Sequence, residues 1–365
     1  MLFIKNADLK EGMRLAKPIY NKSGVLLFDR NSKLTSQGID SVKNFGLIGL
    51  YILEPAEPLP PMSEEDIEFE RFQTVAVFQI MDELNAIIKT GKAPKINMLT
   101  AELIKRFGRL NHKINFVQNL RSNEDYIFKH ALNSATLCAL MSHVLNIKLE
   151  DQNAVVLSAL VYSMGKLKIP AEIAAKGQNL TVSEQNTVAA CQRAGIAELD
   201  TVFSASPAIK RTCMQTFKTL SDFKEGKPVD NKTVITAKIL TVAEMYDDMT
   251  AMNDYEEPAS EIAALKFLQQ NPDVFDRTVV DSLVGSINFL SNGCCVELNN
   301  GQKALVISAS DSNVLEPMVL CFSDNSIIDL SNKSMYEGIE IKDVMKTMDN
   351  RVVIDPEMMK KYGVN

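Results

Sequence analysis

Residues 160–170 read LVYSMGKLKIP. They close an apolar run, Ala154 to Tyr162, that is too uniform for a surface helix and is expected to be buried on most sides. Asp151 is the expected N-cap of that helix, and Gly165 is expected just past its end. The preceding stretch, YIFKHALNSATLCALMSHVLN from Tyr126, carries a broad apolar face with His130 in line with Leu137, Met141 and Val144. From there to about residue 290 the pattern is helical throughout.

The flanks have a different texture. Residues 1–56 read as short strands and turns. PIYNKSGVLLFDRNSKL is punctuated as a hairpin, LTSQGIDSVKNFG as a short helix ending near Gly46, and GLYILEP as a strand. EPAEPLPPMSEEDIEFE reads as a stiff acidic linker, with helical spacing beginning near Phe72. Beyond residue 290, CCVELNNGQKALVISAS places two strand-like runs around Asn300-Gly301, and PMVLCFSDNSIIDLS reads as another pair. The expected organisation is mainly α: a small β-rich α+β module (1–56), a linker and helical connector (57–125), a helical bundle (126–290) and a β-hairpin extension with a tail (291–365).

The chain has 365 residues, 46% of them hydrophobic and 23% charged, an ordinary globular balance. A formal charge of −7 repels phosphate backbones, so nucleic acid is not an expected partner. No apolar run approaches the roughly 20 residues of a membrane span. MLFIKNADLKEGM lacks the cationic and apolar regions of a signal peptide. A soluble, cytoplasmic protein is expected. The six cysteines form no Cys-x-x-Cys pair and read as small apolar filler, and the 17 methionines as adaptable helical packing.

The helical region resembles the HD-GYP family, the bacterial cyclic-di-GMP phosphodiesterases of the wider HD superfamily. YIFKHALNSA and YSMGKLKIP stand where that family has a first histidine helix and a His-Asp-x-Gly-Lys-x-x-x-Pro motif. KGQNLTVSE (Lys176, Leu180, Thr181, Glu184) and KILTVAEMYDDMT (Lys238 to Thr250) follow in the family's order, and both flanks look like segments often fused to it. The HDOD family, a non-catalytic helical output domain, is the nearest alternative fold.

The resemblance implies iron or manganese ions that polarise a phosphate and deprotonate water, which needs several His and carboxylate ligands. His130 matches the first histidine, and its structural alternative is a core histidine with a hydrogen bond. Tyr126 stands where multi-metal members carry an acid, and a phenol of pKa about 10 is a poor ligand. Tyr162 and Ser163 replace the defining His-Asp pair. Lys166 is retained, either to assist at a phosphate or simply as a cation at a helix end. Cys191 falls where the next histidine is expected, as a soft-metal ligand or as core filler. A gap-free count puts the name-giving histidines at Gln215 and Thr216. Glu244 replaces an Asp and Asp247 is retained; they are weak cation ligands, or else solvated or capping acids. Asn253, Glu256 and Glu257 stand where the family has phosphate-binding cations, which argues against binding of cyclic-di-GMP.

With His130 and Glu244 as the remnants and Cys191 and Asp247 as weak candidates, neither a metal cofactor nor catalysis is expected. The favoured expectation is a catalytically inactive HD-GYP-like regulatory or protein-interaction module in cyclic-di-GMP signalling. Its partners, implied by the family alone, are diguanylate cyclases, phosphodiesterases or motility machinery. The alternatives are an iron- or manganese-dependent phosphodiesterase with atypical ligands and a non-hydrolysing nucleotide receptor.

Overall fold

A computed structural model describes residues 2–345 except 22–24, 54–62, 178, 231, 254–256, 291 and 311–312. The N-terminal module holds β1 (Leu2–Lys5), β2 (Arg14–Leu15), β3 (Ile19–Tyr20), β4 (Leu26–Phe28), α1 (Ser36–Asn44) and β5 (Gly49–Leu53). β5 lies between β1 and β2, antiparallel to both, and β3–β4 form a separate hairpin. Thr35 caps α1 through the Gly38 amide. Leu15, Leu34, Val42 and Leu50 fill a small core of the module's own.

The second helix starts eight residues before the Phe72 expected from the periodicity. α2 spans Glu64–Thr90, opened by a capping box in which Ser63 and Asp66 exchange hydrogen bonds. The acids read as linker therefore form the first turns of α2, where the helix dipole favours them. The linker itself, residues 57–62, lies outside the described residues. α3 (Ile96–Phe107) follows, and both helices bury Phe69, Ile80, Leu84, Leu99 and Leu103 in the core shared by the later helices.

That core is organised around α4 (Tyr126–Val144), buried continuously from His130 to Ser142. α5 (Leu149–Tyr162) is packed against it, buried on most sides as its apolar run predicts. Lys148, not Asp151, stands at the N-cap of α5; Asp151 lies inside the first turn, where a carboxylate also suits the dipole. A 3-10 turn, Ser163–Lys168, continues from α5. Then come α6 (Ala171–Ala174), α7 (Val182–Val202), α8 (Pro207–Lys224), α9 (Ile235–Thr250), α10 (Glu261–Gln270) and α11 (Arg277–Ser286). α9 and α11 complete the cover of α4. Among the described residues no helix is long and apolar enough to cross a membrane.

The C-terminal strands β6 (Cys295–Leu298), β7 (Lys303–Ser308), β8 (Met318–Cys321), β9 (Ile327–Asp329) and β10 (Ile341–Val344) form an antiparallel sheet in the order β10-β6-β7-β8-β9. Strand alternation divides its faces. Ala304 and Val306 join the helical core, while Leu305 and Ile307 form a separate cluster on the other side. The mainly α architecture with β-rich flanks is thus the observed one.

Gly165 owes its place to packing. A Cβ on Gly195 of α7 would stand 2.4 Å from the Gly165 Cα, and a Cβ on Gly165 would stand 2.5 Å from the Cys191 carbonyl oxygen. The 3-10 turn and α7 touch backbone to backbone. Gly195→Ala is expected to destabilise the fold by about 1–3 kcal/mol, the usual cost of overpacking. Urea unfolding measures it, and an unchanged midpoint would show that this contact yields freely.

Candidate functional site

Three pairs of polar residues, each spaced i, i+3, converge beneath the surface. α4 supplies His130 and Asn133, and α9 supplies Glu244 and Asp247. The extended segment before α4 supplies Gln118 and Arg121. On the helices this spacing puts both members on one face. All six are buried; Arg121, Asn133 and Asp247 are fully so.

His130 is held at both ring nitrogens. Nδ1 lies 2.6 Å from Asp247 Oδ2, and Nε2 lies 2.8 Å from Glu244 Oε2. Carboxylates only accept, so the imidazole donates twice and is an imidazolium. Burial alone would lower its pKa; the Glu244 charge and the bonds to both acids outweigh burial and raise it to about 9. Arg121 Nη2 reaches both Asp247 oxygens, at 2.7 and 2.6 Å. Burial opposes ionisation of Asp247, but the Arg121 charge and the His130 bond hold it well below the usual carboxylate range. The same carboxylate holds Arg121 above its ordinary value against its own burial. Two cations thus face two carboxylates in a dry interior.

The remaining members bond to Asp247 and to one another, while Arg121 Nε and Nη1 meet no acceptor among the described residues. Gln118 Nε2 donates to Asp247 Oδ1 (2.9 Å) and Thr250 Oγ1 (2.8 Å), and its Oε1 accepts from Asn133 (2.9 Å). Asn133 also donates to Asp247 Oδ1 (2.8 Å), and Gln73 of α2 donates to Asn133 Oδ1 (3.1 Å). The Tyr126 ring lies 4.7 Å from the Arg121 guanidinium carbon and stacks on His130 at 6.5 Å. An acid is expected at 126 by the resemblance; the phenol instead offers a π-face to a buried cation.

The site therefore brings together His130, Glu244 and Asp247. The two acids are not solvated or capping residues, because Arg121 and His130 neutralise them inside. Tyr162 is buried, its phenol pushed well above its ordinary pKa by burial and then by the Glu244 charge. Ser163 is buried, and its hydroxyl meets no partner. Lys166 lies half-buried on the 3-10 turn. Cys191 is half-buried rather than core, its sulfur 3.8 Å from the Lys168 carbonyl oxygen. Gln215 accepts from the Val234 amide and Thr216 donates to the Ala237 carbonyl, so both tie α8 to the start of α9. Asn253 is buried, Glu257 is exposed, and Glu256 lies outside the described residues. Lys176 pairs with Glu184, and Thr181 and Glu184 form the capping box of α7.

This arrangement does not fit a metal centre. A ligating histidine needs a free lone pair, and both His130 nitrogens are spent on carboxylates. Both Asp247 oxygens are taken by Arg121. Glu244 keeps one buried oxygen, Oε1, without a partner. Among the described residues, no group of three or more His, Cys, Asp or Glu is arranged to hold a metal ion. Gln118, Arg121 and Asn133 are the members that sequence reasoning missed. The one available signal was Arg121 itself, the lone charge in INFVQNLRS.

Two outcomes follow for this network. Arg121→Met should cost about 3–5 kcal/mol in urea unfolding, because it strips the main partner from a buried carboxylate. The double change Arg121→Met with Asp247→Leu should recover much of that, and a cost under about 1 kcal/mol for Arg121→Met would show the pair to be incidental. The second outcome concerns pH. His130 binds its proton more tightly folded than unfolded. Its stabilisation is full below the ordinary 6.5 and is lost as pH rises through about 9. The stability advantage of the wild type over His130→Gln should therefore be largest near pH 6 and shrink towards pH 9.5. Glu261, raised to about 7 by burial, and Lys17, lowered to about 8 by burial, also titrate nearby, but both cancel in that difference. A difference that stays constant with pH would rule out a charged His130.

Comparison with known proteins supplies the wider setting. The family model of the HD domain matches residues 115–279. A cyclic di-GMP phosphodiesterase of Pseudomonas aeruginosa is 23% identical over 210 residues, covering 56% of this chain and 49% of the relative. The chain thus spans about half the length of that curated relative. A solved HDG"Y"P protein from Bdellovibrio bacteriovorus aligns over 77% of this chain and 97% of its own, with 12% identity and a TM-score of 0.44. The helical region of this chain, residues 115–279, thus matches the HD domain family and is similar in sequence to a cyclic di-GMP phosphodiesterase.

Proposed function

We propose that this chain is a non-hydrolysing HD-domain module that acts in cyclic-di-GMP signalling through protein partners. The observation that carries the proposal is the guanidinium of Arg121 seated on Asp247, with His130 protonated between Asp247 and Glu244. Hydrolysis by the metal-assisted route needs lone pairs directed at an ion. Here the same residue types are paired with one another. Tyr162 and Ser163, at the positions of the defining His-Asp pair, are buried and add no charge. The connection to cyclic-di-GMP rests on the Pseudomonas relative, whose name gives that activity. The exposed Glu257, between α9 and α10, adds no cation to attract a phosphate.

The test is metal content together with turnover. Protein purified without air, from cells supplied with iron and manganese, is expected to hold well below one ion per chain and to leave cyclic-di-GMP intact. Two or more ions per chain, with hydrolysis abolished by Glu244→Gln, would replace this reading with an enzyme of atypical ligands.

A further inference from the structure

A cleft of about 400 Å³ separates the N-terminal module from the helical domain. Its volume falls in the range of small-molecule sites. Phe45 closes one side, and Val77, Phe78 and Met81 of α2 line another. Its floor is the segment that carries Gln118 and Arg121 into the buried network. The cleft is a separate space, because Gln118 turns its amide away to Asp247.

The polar groups of the cleft are unevenly committed. Its two lysines are already engaged. Lys17 Nζ donates to the Gln118 carbonyl at 2.5 Å and stands 4.3 Å from the Tyr51 ring centre. Lys129 Nζ donates to the Leu120 carbonyl at 2.5 Å and pairs with Asp125 at 2.5 Å. Two acceptors are not engaged: Glu70 Oε2 and Asn119 Oδ1 meet no donor among the described residues. Glu70 is only 8% exposed. A buried carboxylate oxygen without a donor is costly, and a molecule bringing N–H groups would relieve that cost. An anion would find Lys17 and Lys129 occupied and the Glu70 carboxylate in the cleft wall.

We propose that this cleft binds a small molecule with an apolar body and an N–H donor head, of the amine, amidine or amino-heterocycle class, the head paired with Glu70 and Asn119 and the body against α2. This does not depend on whether the chain hydrolyses cyclic-di-GMP.

Benzamidine is a suitable probe and benzoate its anionic counterpart of the same shape. Saturation-transfer NMR on the full chain at about 10 mM probe suits the weak binding of so small a molecule. Benzamidine should give a signal and benzoate little or none. Glu70→Gln should weaken benzamidine roughly tenfold, the scale of one charge-assisted hydrogen bond. Thr74→Phe, a half-exposed change that fills the cleft, should abolish the signal while leaving the melting temperature near that of the wild type. No signal from benzamidine, equal signals from both probes, or a benzamidine affinity unchanged by Thr74→Phe would each overturn the proposal.

Discussion

The bundle closes around one fully buried carboxylate, Asp247. Leaving it ionised and unpaired in that interior would cost several kcal/mol, so the surrounding elements are constrained to bring it donors. α4 supplies His130 and Asn133, and the segment ahead of α4 supplies Gln118 and Arg121. None of these comes from Asp247's own helix, so α9, α4 and that segment must sit in register for the charge to be met. An apolar core tolerates sliding because its contacts lack direction. A charged nitrogen held by both oxygens of one carboxylate does not, and this pair therefore adds specificity to the apolar packing around it.

The same network bears on metal binding. A metal site and a salt-bridge network draw on the same residue types and differ in where the protons sit. Imidazole with a free lone pair binds an ion; imidazolium between two carboxylates cannot. The extra methylene of Glu244 relative to Asp lets its carboxylate reach His130 Nε2 at 2.8 Å, and Tyr126 supplies a surface on which Arg121 can lie. Glu244 and Tyr126, two departures from the family's pattern near His130, thus each have a physical partner in this chain. The replacements form a self-consistent neutral set, not a site merely stripped of ligands.

Much of the architecture was legible because apolar periodicity and turn residues act locally. The buried α5, the Asn300-Gly301 hairpin and the strand–helix–strand order of the N-terminal module all follow from short-range signals. The start of α2 was misread because its acids were taken as solvating linker, although Ser63 and Asp66 spell a capping box. The site was half legible. His130, Glu244 and Asp247 could be named from a motif, but their roles could not. Those roles depend on Arg121, which lies 126 positions from Asp247, and no local pattern pairs two residues at that distance. Solvation was the natural reading for Asp247 alone, and only the fold supplies its counter-charge.

Residues 117–122 link the cleft to the buried network. Their backbone carbonyls at 118 and 120 are held by Lys17 from the N-terminal module and Lys129 from α4, while their side chains at 118 and 121 hold Asp247. The segment is thus tied at its backbone to the cleft and at its side chains to the buried network. Moving the N-terminal module would pull on the Gln118 carbonyl, and Gln118 cannot shift far without losing its bonds to Asp247 and Thr250. Because charge-assisted bonds are short and directional, such a displacement is resisted until the network breaks as a unit. This strap is a mechanical route from the N-terminal module to the helices that form the core.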